Sequence, residues 1–183
     1  MIKNKRLSYI AFALVVITSL IVYSLKDSLL DSNFSRIANK TIFNYLSLFL
    51  ISYLYGLCLF ISLKTQHFRK LKYLGLISML IGAIIPYNYL EVNSFSSNLH
   101  FLFAIISCAS TLLIAYLSIN RFSYIFPKIG KILFACFIIV IGIGIYLYGK
   151  YMFVNSLNEL ILLIFVLISQ MIIYNKELNK WKL

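Results

Sequence analysis

Two ionisable side chains stand where the surrounding apolar sequence gives them no ordinary reason to be: His100 and Glu159. Each lies about one turn into a long apolar run, near the start of the helix that the run predicts. An imidazole can move a proton near neutral pH or hold a ligand through a ring nitrogen. A carboxylate can pair with it or accept hydrogen bonds from a polar solute. Ionisable groups at membrane depth are costly unless they face a cavity or a partner, which makes both residues functional candidates. The helix dipole favours an anionic Glu159 and disfavours a protonated His100. A His100–Glu159 pair, joined by Arg36, Asn39, Asn88 and Glu91 from neighbouring polar segments, would make one ligand-binding site. In the competing reading, each residue reaches separately to headgroups and water while capping its own helix.

The same residues argue against several other chemistries. Covalent catalysis needs a nucleophile beside a base, and a zinc site needs clustered ligands. The second histidine, His67, falls on the opposite side of the membrane in the topology below, so His100 has no histidine partner. A set built from Ser94, Ser96 or Ser97 with His100 and Glu159 is conceivable, but serine clusters are common in loops. Neither G-x-S-x-G nor H-E-x-x-H occurs. Cys58, Cys108 and Cys136 all fall in apolar runs, an odd set that reads as small packing residues rather than disulfides or metal ligands. No catalytic residue, metal or cofactor is therefore expected, and the balance is against an enzyme.

The elements that must position His100 and Glu159 follow from composition. The 183 residues are 62% hydrophobic and 12% charged, with a mean hydropathy of +0.92. Soluble domains average about 25% charged residues, so lipid must solvate most of this chain. Six stretches are long and apolar enough to span: Ser8–Leu25, Ile42–Leu63, Tyr73–Leu90, Leu99–Ile119, Ile132–Gly149 and Leu157–Tyr174. The fold expected is all-α, one polytopic membrane domain over 1–183 made of six transmembrane helices. The first stretch, with three cations before it, imitates a signal peptide but is longer than the usual apolar core and lacks a small-x-small site. It reads as a retained span.

The net charge of +12 would suggest nucleic acid in a soluble protein. Here the cations sit in short clusters between spans, and nucleic acid is set aside as a partner. Thirteen of them fall on one side: Lys3, Lys5 and Arg6; Lys64, Arg69, Lys70 and Lys72; Arg121, Lys128 and Lys131; Lys176, Lys180 and Lys182. Four fall on the other: Lys26, Arg36, Lys40 and Lys150. Cytoplasmic loops retain positive charge, so both termini are expected inside the cell membrane.

Small residues in spans three (Gly75, Ser78, Gly82), four (Ala104, Cys108, Thr111, Ala115) and five (Gly142, Gly144) predict that these three helices form the packed centre. Asn44 and Gln170 read as interhelical hydrogen-bonding glue. Pro86 should end or kink span three. In the loop "KDSLLDSNFSRIANKT", Ser28 and Asp31 have the form of a capping box, and Leu30, Phe34, Ile37 and Ala38 recur at helical spacing. A short amphipathic helix at the outer interface is predicted there, with Arg36 and Asn39 toward the bundle mouth.

Two stretches carry a resemblance: "DSNFSRIANKTIFNYLSLFLISYLYGLCLF" and "RKLKYLGLISMLIGAIIPYNYL" continuing to "NLHFLFAIIS". With them the chain resembles six-helix bacterial membrane proteins of unknown function related to the FRAG/DRAM/Sfk-type group, the damage-regulated autophagy modulator and its relatives. That group often has Gly before Phe-Pro where this chain reads "GAIIP", and Glu159 fills the acidic or Gln position near the start of its last span. The resemblance implies a compact six-helix bundle with an outward-facing polar pocket; it implies no established catalytic activity and leaves the function open. The function expected is a non-enzymatic sensor, immunity or accessory protein that binds a lipid, a small amphiphile or a membrane protein partner. A membrane-embedded solute-binding subunit of a transporter is the alternative, and an intramembrane hydrolase or transferase the second.

Overall fold

The computed structural model describes residues 2–24, 50, 53–54, 56–58, 68–85, 94–151 and 156–180, which are almost wholly helical. Five helices are complete: α1 (Ile2–Ser24), α2 (Arg69–Ile84), α3 (Phe95–Ile125), α4 (Pro127–Tyr151) and α5 (Ser156–Lys180). They answer to predicted spans one, three, four, five and six. Helical residues between Leu50 and Cys58 fall inside predicted span two. The predicted interfacial helix between spans one and two lies outside the described residues.

Three of the helices are long and apolar enough to cross a membrane: α3, α4 and the Leu157–Lys176 part of α5. The protein is accordingly a membrane-associated, all-helical one. Each of these helices outruns its predicted span, because charged and polar residues do not themselves stop a helix. Asn120 and Arg121 can stay helical where their side chains reach the membrane surface, and α3 continues to Ile125. What ends it is Pro127, whose ring and missing N–H cannot follow an intact turn. Phe126 alone separates the two helices, and Pro127 takes the first position of α4, where its fixed φ is favourable. The expected loop between spans four and five is thus a one-residue corner. The Phe122 and Phe126 rings meet across it at 4.9 Å, and the Gly130 N–H donates to the Phe126 carbonyl at 2.9 Å.

At the start of α3, the Ser94 hydroxyl accepts the Ser97 N–H, a side-chain cap of the kind serine provides. At the end of α2, Ile85 takes an extended conformation (φ −76°, ψ 118°). That is the conformation a residue preceding proline is driven into, so Pro86 ends the helix from one position downstream.

Without water to expel, helices in a bilayer associate through close packing and hydrogen bonds rather than the hydrophobic effect. The α2–α3 contact is the most extensive and shows this directly. Gly75, Ser78 and Gly82 are all buried, and a Cβ placed on Gly82 would lie 3.4 Å from that of Phe103. Helix α1 uses a stripe of the same kind that sequence reading passed over. Its Ser8, Ala11, Val15 and Thr18 are buried at three- and four-residue steps, and α5 lies antiparallel to it, with the Asn175 amide donating to the Tyr9 hydroxyl at 3.4 Å. Helix α5 touches α1, α3 and α4 and buries Val166, Leu167, Ile173 and Tyr174. The ring contact of Phe137 with Phe165, 5.9 Å between centroids, ties α4 to α5.

The centre expected from spans three, four and five is therefore corrected. Among the described helices, α4 lies at the periphery, with Ile145 68% and Ile132 62% exposed, and α3 and α5 touch the most neighbours. Among the described residues, a Cβ on Gly142 would meet nothing within 4 Å, and the atoms nearest to one on Gly144 belong to the Asn158 side chain. On span four the stripe is half used: Thr111 and Ala115 are buried, while Ala104 and Cys108 are exposed. Cys108 and Cys136 are exposed free thiols, so packing does not explain them, whereas Cys58 is half-buried.

Antiparallel pairing gathers cations at one end, together with Glu177 near the end of α5. Arg6 of α1, Arg69 and Lys70 of α2, Arg121 of α3, Lys128 and Lys131 of α4, and Lys176 of α5 are all exposed there. At the opposite end stand Lys150 and Glu159. Lys72 belongs to the basic end but is half-buried, and this burial lowers its ammonium pKa from the ordinary 10.5. Between the lowered value and 10.5 the unfolded chain binds more protons than the folded one, so stability should rise with pH across that window. In detergent-melting experiments from pH 7 to 10.5, wild type is expected to gain on Lys72→Met as pH increases. A difference between the two that stays constant would mean Lys72 is not desolvated.

Candidate functional site

His100 is reached by a short chain of causes. Pro86 forces Ile85 out of the helical conformation, which leaves the Ile85 carbonyl at a helix end without an intrahelical donor. Ser94 starts α3 so that His100 comes round half-buried on the side of α2. The ring Nδ1 then meets that carbonyl at 2.8 Å. A carbonyl oxygen only accepts, so Nδ1 carries the proton and a neutral His100 is the Nδ1–H tautomer. One histidine thus joins the start of α3 to the end of α2 and orients its own ring.

Glu159 lies in the first turn of α5, half-buried, where the helix dipole favours a carboxylate. It is near enough to Cys108 of α3 for the two groups to interact electrostatically. Cys108 is eight residues from His100, about 12 Å along the helix axis. Each of the two residues is thus tied to its own neighbouring helix, His100 to α2 and Glu159 to α3. Beside Glu159, the Asn158 amide donates to the Gly144 carbonyl at 3.3 Å. Gly144 has no side chain to block that approach, and a Cβ there would come within 3.0 Å of Asn158 Oδ1. Sequence reading missed Asn158. The signal available was an amide one turn into a helix, opposite a glycine on the preceding span.

The remaining predicted ligand-binding residues, Arg36, Asn39, Asn88 and Glu91, lie outside the described residues, as does Asn44. Gln170 is within them and departs from expectation. Its side chain is fully buried on α5, yet among the described residues neither the amide nitrogen nor the amide oxygen has a hydrogen-bond partner. Two other buried hydroxyls turn to their own helices, Ser169 beside it to the Val166 carbonyl and Thr18 of α1 to the Leu14 carbonyl, both at 2.8 Å. Gln170 is therefore not the interhelical glue its type suggested.

Among the described residues, no three His, Cys, Asp or Glu side chains gather closely enough to hold a metal ion. The arrangement at this end offers an imidazole, a carboxylate, amides and hydroxyls within the first turns of α3 and α5. That is a set suited to recognising a polar group at a membrane surface. In comparisons with known proteins, no protein family, curated protein or solved structure matches the chain.

Proposed function

We propose that this is a six-span cell-membrane protein, both termini cytoplasmic, that binds a lipid or small amphiphile at the outer ends of its helices and catalyses nothing. His100 and Glu159 contact the ligand at two depths, about 12 Å apart along α3, assisted by Arg36, Asn39, Asn88 and Glu91. The observation that carries the reading is the His100–Ile85 hydrogen bond. It fixes an imidazole, half-buried, at the end of the bundle opposite the basic surface, where the positive-inside rule puts the exterior. A polar residue held this firmly at a membrane boundary is suited to binding a headgroup. The resemblance to the FRAG/DRAM/Sfk-type group fits the same architecture. A membrane protein partner could occupy the same surface, and the experiment separates the two.

Mass spectrometry of gently solubilised wild type, His100→Ala and Glu159→Ala tests the proposal. A discrete lipid or solute should accompany the wild type and be lost from both variants. If the bound species are the same in all three and the variants remain folded, the shared site does not exist. A copurifying protein lost in both variants would instead favour the partner.

A further inference from the structure

With the predicted span Leu99–Ile119 set in the hydrocarbon core, the Phe126 corner falls at headgroup depth. Residues Leu99–Ile119 of α3 cover about 31 Å at 1.5 Å per residue, enough for the whole hydrocarbon core. Residues Asn120–Ile125 then project into the headgroup layer, and α4 returns through that layer with Pro127–Lys131 before its own apolar run begins at Ile132. Three exposed cations fall in this short return: Arg121, Lys128 and Lys131. Lys128 and Lys131 share one face of α4, being three residues apart. Between Glu91 and Glu159 the chain has no Asp or Glu, so the corner's own stretch of sequence carries no acid; Glu177, near the end of α5, is the acid at this end of the bundle. Tyr124 stands beside them 81% exposed, where an aromatic ring meets the membrane interface.

The corner is also stiff. There is no loop to absorb motion, the Phe122 and Phe126 rings pack within it, and Gly130 lets the backbone of α4 come hard against Ser123. Side chains on such a corner start from fixed backbone positions, unlike lysines on a flexible loop. We propose that the Phe126 corner is a binding site for the headgroup of an anionic phospholipid, with Arg121, Lys128 and Lys131 facing its phosphate and Tyr124 resting against the acyl–headgroup boundary. The argument needs only that α3 and α4 cross the bilayer, and it is independent of the ligand proposed for the opposite end. A lipid is the occupant because the three charges sit at headgroup depth and the apolar faces of α3 and α4 run directly away from them.

The test is native mass spectrometry of the full chain in detergent, titrated with phosphatidylglycerol or phosphatidylcholine. The proteins compared are wild type, a corner variant (Arg121→Gln, Lys128→Gln, Lys131→Gln) and a control with three cations removed elsewhere (Arg69→Gln, Lys70→Gln, Lys176→Gln). Wild type and control should retain phosphatidylglycerol over phosphatidylcholine, and each cation removed from the corner should weaken that retention about fivefold. Equal losses in the two triple variants would show diffuse attraction and overturn the site, as would equal retention of the two lipids. Displacement by millimolar inorganic phosphate would overturn the lipid as the occupant. Should the corner variant fail to insert, the single variants Lys128→Gln and Lys131→Gln carry the same comparison, with Lys70→Gln as their control.

Discussion

Replacing Gly130 with alanine is expected to destabilise the protein by roughly 1–3 kcal/mol, the usual range for forcing one extra carbon into a filled space. A Cβ there would overlap Ser123 Cα and Cβ, and these atoms belong to a helix end that cannot rotate out of the way. The alternative, spreading α3 from α4 at the corner, would separate the Phe122 and Phe126 rings and pull the Gly130 N–H from the Phe126 carbonyl. Gly142→Ala on the same helix is the control. It meets nothing within 4 Å and should be neutral or gain up to about 1 kcal/mol from helix propensity alone. Unfolding midpoints of the two variants in one detergent should therefore move in opposite directions. If they move together, the corner is looser than its geometry indicates. Gly56 would behave differently again, because the atoms in its way are the end of the Met79 side chain, which can swing aside.

Gln170→Met should make the protein more stable, by about 1–3 kcal/mol, an unusual direction for a change at a fully buried position. The wild-type amide has given up its hydrogen bonds without finding others, and methionine of similar length fills the space with no polar group to desolvate. Gln170→Glu should do the reverse and more strongly, since a carboxyl there must be buried as a charge or held protonated. Thermal unfolding of the three proteins side by side gives the order Met, wild type, Glu. A Gln170→Met variant less stable than wild type would mean that the amide is satisfied in the membrane by something that binds between α1 and α5.

The contrast between these two positions shows what the sequence could and could not tell. Helices α3, α4 and α5 were legible because an apolar run of twenty residues has few alternatives in lipid. Their ends were not, because Asn120, Arg121 and Lys128 look like loop residues until Pro127 is recognised as the real stop. Glycine is ambiguous in a different way. Gly82 against Phe103, Gly130 against Ser123 and Gly142 against nothing are the same letter, and only the arrangement of helices tells which one lets another backbone approach. The small-residue stripe on α1 went unread for a related reason: serine, alanine, valine and threonine scattered in an apolar run look like filler until α5 is laid against them.

Of the candidate site, residue choice was legible and connectivity was not. An imidazole and a carboxylate in otherwise apolar helices announce themselves by cost. That His100 would bond the carbonyl of Ile85 depends on Pro86 releasing that carbonyl and on the Ser94 cap setting the phase of α3, two local events fourteen and six residues away. Each is readable alone, but their meeting is a fact of three dimensions. The same holds for Asn158, whose partner Gly144 is fourteen residues back along the chain on a different helix.

The single-residue junction at Phe126 also governs how the chain can be cut and extended. Reporter fusions and epitope tags map membrane topology by being threaded into connecting segments, and here α3 and α4 have none to offer. An insertion between Ile125 and Lys128 would break two helices at once, so a silent fusion at that place would report a damaged hairpin rather than a sidedness. Trypsin would be equally uninformative, since Arg121 and Lys128 are held within helical turns and cannot extend into a protease cleft. Sidedness at this end is better read chemically, by labelling single cysteines introduced at exposed positions such as Tyr124 in a background lacking Cys58, Cys108 and Cys136.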